Sequence, residues 1–152
     1  MRLGEHLNAK VRAGAIPAPT HPVIFRALAR DAHGEQYVVD ANAVLAFVDE
    51  DQRDRAIDAA EAEIRLKYPD ASAPAEKRRN AVAYQILLYA LRDAEDPRVQ
   101  LAATVEELRK ALVQPVATRL YSEYIAFVDE EFPATPAEGD FAGMVDDAEK
   151  NS

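Results

Sequence analysis

The residues able to do chemistry are few, and their spacing argues against an enzyme. The histidines are His6, His21 and His33. No two stand at i,i+4 and none has an acid at the spacing of a zinc protease helix, so the sequence offers no metal site. His33 precedes Gly34 in a segment that reads as a turn. Cysteine is absent, which excludes thiol nucleophiles, disulfides, thiolate zinc and iron–sulfur clusters. The serines, Ser72, Ser122 and Ser152, lack the flanking glycines of a nucleophile elbow. Gly4, Gly14, Gly34, Gly139 and Gly143 are too dispersed to cradle a phosphate. Asp49-Glu50-Asp51 and Asp129-Glu130-Glu131 lack the alternation and central glycine of a calcium loop, and read as helix caps or solvated helix ends. The expectation is a protein with no catalytic residue, no metal and no cofactor.

What remains is protein binding. Lys77-Arg78-Arg79 falls in the first turns of an expected helix, where positive charge opposes the helix dipole. It reads either as a solvated face or as a contact for a partner. A net charge of -9 disfavours nucleic acid, which needs a basic face. The charge is uneven. Arg2, Lys10, Arg12, Arg26 and Arg30 face only Glu5 in residues 1 to 30, while residues 129 to 152 hold eight acids against Lys150.

Elements must position these residues. At 152 residues the chain has one domain's length, enough to bury roughly 68–70% of its unfolded surface without a metal or disulfide. No apolar run reaches a membrane span, and no secretory signal core follows Met1, so the expected setting is cytosolic. Pro17, Pro19 and Pro22, then Pro133 and Pro136, divide the chain into a flexible basic arm (1–22), a helical domain (23–132) and an acidic disordered tail (133–152).

Within the domain, Ala56, Ile57, Ala60, Ile64 and Tyr68 recur at helical spacing over about 51–68. A second helix is expected from Pro74 to about Arg92, apolar on nearly every face between Val82 and Leu91, so it must be surrounded by the fold or by another subunit. Thr104 and Glu107 have capping-box spacing before a short helix to about Val113. Pro115 opens a final helix with the stripe Val116, Leu120, Tyr124 and Phe127, ending at Phe132-Pro133. Residues 24–39 read either as a short hairpin around Asp31-Ala32-His33-Gly34 or, over Phe25–Arg30, as helix; Asp40 then reads as the cap of a helical turn through Val48. The expected fold is mainly α, a bundle of about four to five helices. Candidate partner-binding residues are Lys77, Arg78, Arg79, Tyr84, Leu88, Leu91, Tyr121 and Tyr124.

The stretch Ile86-Leu87-Leu88-Tyr89-Ala90-Leu91-Arg92-Asp93-Ala94-Glu95-Asp96-Pro97, followed by Thr104-Val105-Glu106-Glu107-Leu108 and Leu120-Tyr121-Ser122-Glu123-Tyr124, resembles the tail assembly chaperones of long-tailed bacteriophages over about residues 80–133. The resemblance implies a small, non-catalytic, mainly helical protein. It would bind the tape measure protein, help recruit tail tube protein, act in the host cytoplasm and be left out of the virion. A homo-oligomer is left open. Members are often also made in a longer frameshifted form. Glu149-Lys150-Asn151 can be encoded GAA AAA AAC, which contains the slippery heptamer A AAA AAC. The rival readings are a neck or connector subunit of the virion and a small helical DNA-binding regulator.

Overall fold

The structure is a computed structural model that describes residues 3–5, 17–70 and 72–133. Two long antiparallel strands, β1 (His21–Arg30) and β2 (Gln36–Leu45), come first. Helices α1 (Glu50–Lys67) and α2 (Ala75–Ala90) follow, then a short strand β3 (Leu91–Asp93), and helices α3 (Val105–Ala111) and α4 (Gln114–Glu131). Residues 3–5 are also helical. The remainder of the expected basic arm up to residue 16, and the acidic tail past Pro133, lie outside the described residues.

The expectation of a mainly α bundle is overturned, because the chain has an α+β fold with a three-stranded antiparallel sheet in the order β1-β2-β3. The hairpin reading of residues 24–39 is the one the structure adopts, but over a longer span. Its pairing runs from His21↔Leu45 to Arg30↔Gln36. The helical alternative for Phe25–Arg30 and the helical turn after Asp40 are both replaced by strand. Helical propensity is a weak prior here, since Val23, Phe25, Ala43 and Leu45 alternate onto one face that the helices bury. The arm boundary at residue 22 also moves: His21 and Pro22 belong to β1. Proline is tolerated there because β1 is an edge strand and Pro22 stands near its start.

The turn works as its residues suggest. The Asp31 carboxylate accepts the amides of His33 (2.8 Å) and Glu35 (3.0 Å). Gly34 takes the left-handed φ of +80° that closes the loop. The Glu35 amide foremost holds the Asp31 carboxyl below the usual carboxylate range.

The helices begin and end where local signals put them, with one exception. Asp49 caps α1 in a reciprocal box with Gln52. Thr104 caps α3 by accepting the Glu107 amide (3.2 Å), while the Glu107 carboxylate takes the amide of Ala103 instead of closing the expected box on Thr104. Pro115 sits in the first turn of α4. The exception is the end of α2. Helix was expected to about Arg92, yet Leu91–Asp93 form β3 and pair with Ala43–Leu45. Segment 99–101 takes up the other edge, where Asp93 N–H donates to Val99 O (2.9 Å) and Leu101 N–H to Leu91 O (3.2 Å). With both edges paired, extended backbone satisfies the groups a helix would have satisfied.

Packing is layered. α3 and α4 lie on β1, α2 packs against both, and α1 lies against α2. The main core joins Val23, Phe25, Leu45 and Leu91 of the sheet to Leu87, Leu108, Leu112, Leu120 and Phe127. A smaller core of Ala60, Ile64 and Ala81 seals α1 to α2. The apolar girth of α2 is thus consumed by neighbours on several sides, as a helix of that composition requires.

Candidate functional site

The candidate residues do not converge on one place. Leu91 is 2% exposed, inside β3, and belongs to the core. Tyr84 is 6% exposed. Its hydroxyl donates to Leu112 O at 2.8 Å, and its ring carries the Arg109 guanidinium at 4.5 Å. Burial raises its pKa, and the Arg109 charge works against that rise. Tyr84 thus ties α2 to the α3–α4 corner, and neither it nor Leu91 presents much surface. Leu88 is half-buried against the same core.

Lys77, Arg78 and Arg79 are exposed on the first turns of α2. Arg78 Nη1 donates to both carboxylate oxygens of Glu61 of α1, each at 3.0 Å, a solvent-exposed link between the two helices. Lys77 borders a cavity of about 240 Å³ shared with Lys67, Arg109 and Glu63. Three cations there suggest an anion site, but Glu63 already accepts from Arg109 (2.8 Å) and lies 3.8 Å from Lys67. Among the described residues no group of three or more His, Cys, Asp or Glu side chains could hold a metal ion.

Tyr121 and Tyr124 are brought together, in a larger groove of about 520 Å³ where α4 passes the start of α1 and the flank of α2. The apolar wall comprises Val48, Ile86, Ile125, Val128 and Phe132 with the two tyrosines, and Glu50, Arg53 and Asp129 stand at the rim. Tyr124 is anchored: its hydroxyl accepts the Val48 amide at 3.2 Å. Burial is the main cause of its raised pKa.

An aromatic stack continues from the groove to the sheet. Phe132 meets Phe47 edge-on at 4.8 Å, Phe47 lies flat on Phe127 at 4.6 Å, and Phe127 stacks on His21 at 5.6 Å. Ile125 (50%) and Phe132 (62%) are the most exposed members of the wall. Their exposure leaves a largely apolar furrow with charged edges, a surface suited to the apolar stripe of a helix.

Val48, Phe47, Ile125 and Phe132 were not among the sequence candidates. The α4 stripe of Val116, Leu120, Tyr124 and Phe127 hinted at the buried side of that helix. Ile125 lies just off that stripe, and Val48 reaches the groove, as Phe47 reaches the ring of Phe132, only because the chain turns from β2 into α1. Among the described residues, no helix is long and apolar enough to cross a membrane. Comparison with family models, with curated proteins and with solved structures finds no match to this chain.

Proposed function

We propose that the chain is a non-catalytic phage tail assembly chaperone that acts in the host cytoplasm, seating an apolar helical stripe of the tape measure protein in the Tyr121–Tyr124 groove. The reading rests on the resemblance over residues 80–133 together with one observation. The groove is walled by Ile125, Phe132 and the two tyrosines and rimmed by Glu50, Arg53 and Asp129, so its chemistry matches that of an amphipathic helix. A tape measure protein is long and helical, and its apolar stripes need cover until the tail tube encloses them. Tyr124, anchored to the Val48 amide, and the aromatic stack hold the floor of the groove in place.

The test combines the locus with a titration. The neighbouring genes should encode tail tube and tape measure proteins, with an open -1 frame overlapping codons 149–151. Peptides tiled along that tape measure protein are then titrated against the full chain and against Ile125→Asp. Binding of amphipathic helical segments, weakened at least about tenfold by the charge placed in the groove, supports the reading. A locus without a tape measure gene, or peptide binding indifferent to Ile125→Asp, overturns it.

A further inference from the structure

The helices bury the hairpin face that carries Val23, Phe25, Ala43 and Leu45, and the other face is buried at Val44, beside β3. Elsewhere on that other face, Ile24 is 67% and Val38 62% exposed, and Leu28 is half-buried. Their cross-strand partners on this face are Asn42 for Ile24 and Val38 for Leu28. Between these two pairs lies Arg26 opposite Asp40, 3.6 Å apart with side chains 78% and 74% exposed. The face therefore has an exposed neutral charge pair with apolar side chains on both sides. Tyr37 (49%) and Val39 (41%), paired with Ala29 and Ala27, are exposed on the opposite face and take no part in this patch. A hairpin of two ten-residue strands with apolar side chains left open on one face is a liability that folded proteins cover or charge.

We infer that a second copy of this chain covers the face, through a two-fold axis running parallel to the strands between β1 and β2. The charge pattern selects this occupant and this axis. In an isologous contact each residue meets the image of whatever occupies the symmetry-related place. An axis along the strands lays β1 of one copy over β2 of the other without shifting the register. Arg26 then faces the second copy's Asp40, Asp40 faces its Arg26, and Leu28 faces its Val38. An axis across the strands, centred on the pair, would instead set Arg26 over Arg26 and Asp40 over Asp40, which like-charge repulsion disfavours. The Arg26↔Asp40 register makes the patch its own complement, although the whole chain carries -9 and two copies repel at long range. The proposal is independent of what the helical groove binds.

The test is the oligomeric state of the full chain and of charge variants, by analytical ultracentrifugation and light scattering. Wild type should be dimeric at about 100 µM, where even a mid-micromolar Kd populates the dimer. Arg26→Asp gathers four acids at the axis and Asp40→Arg four cations, so each should weaken self-association at least about tenfold. Mixing the two variants should restore a dimer, as should the swap Arg26→Asp/Asp40→Arg. Both positions are exposed, so each variant should keep its fold, and far-ultraviolet circular dichroism checks this. A monomeric wild type overturns the proposal, as does a dimer indifferent to both single reversals or a mixture that fails to recover.

Discussion

Tyr84 and Tyr124 each tie distant parts of the chain together through one hydroxyl and one ring. Tyr84 closes on Leu112, 28 residues on, and Tyr124 on Val48, 76 residues back. Both pKa values are raised above 10.0, chiefly by burial. The sign follows from which state loses its proton first. Below pH 10 both folded and unfolded chains keep these phenols neutral, and their contribution to stability is complete. As pH rises past about 10 the unfolded chain ionises while the folded one holds its protons, so stability falls with pH. Urea midpoints measured from pH 8 to 11 should decline above about 10. The decline should be shallower in Tyr84→Phe and shallower still when Tyr124→Phe is added. An unchanged slope in the double variant would show that these hydroxyls are not shielded.

At the scale of elements, α1 stands on less tertiary support than α2. It packs against α2 through a small core of Ala60, Ile64 and Ala81, and its exposed side carries charge. Its start therefore depends on the Asp49–Gln52 box, where Asp49 accepts the Gln52 amide at 2.8 Å and Gln52 accepts the Asp49 amide at 3.1 Å. Asp49→Ala should cost about 1 kcal/mol in chemical denaturation and raise amide exchange in the first turn of α1, with little change in α2. Asp49→Asn, which keeps an acceptor, should recover most of the loss. The same turn delivers Val48 and Glu50 to the groove, so this cap also shapes the candidate site.

The whole molecule is held together where the sheet meets the helices, and Phe127 occupies that junction. It is 5% exposed, sandwiched between Phe47 and His21, and part of the core that links β1 and β2 to α2 and α4. Phe127→Ala should cost about 3–5 kcal/mol, a large share of a domain's roughly 5–15 kcal/mol, and should loosen the hairpin together with the C-terminal turn of α4. A loss confined to α4, with hairpin amides still protected, would show that the layers are stabilised independently.

The sequence by itself determined the features that depend on neighbours in the chain. The α1 stripe, Pro115 at the opening of α4, Thr104 as the cap of α3, the Asp31–Gly34 turn and the breaks after Tyr68 and Phe132 are local, because a helix start or a turn is decided within about four residues. Tertiary structure decided the rest. Residues 40–48 carry apolar side chains that read as a helical turn, and only pairing with β1 on one side and β3 on the other makes them strand as far as Leu45, with 46–48 left as the connection into α1. Leu91–Asp93 continue a helix-forming sequence, yet long-range pairing to Leu45 and to Val99 claims their backbone. The candidate site divided in the same way. Tyr121 and Tyr124 could be picked out as aromatic residues on a helix, but the groove they share needs Val48, Ile86 and Phe132, brought together by contacts between residues far apart in the chain. The uncovered face with Arg26 opposite Asp40 likewise follows from strand register, which the Asp31–Gly34 turn and the burial of Val23, Phe25, Ala43 and Leu45 fix together.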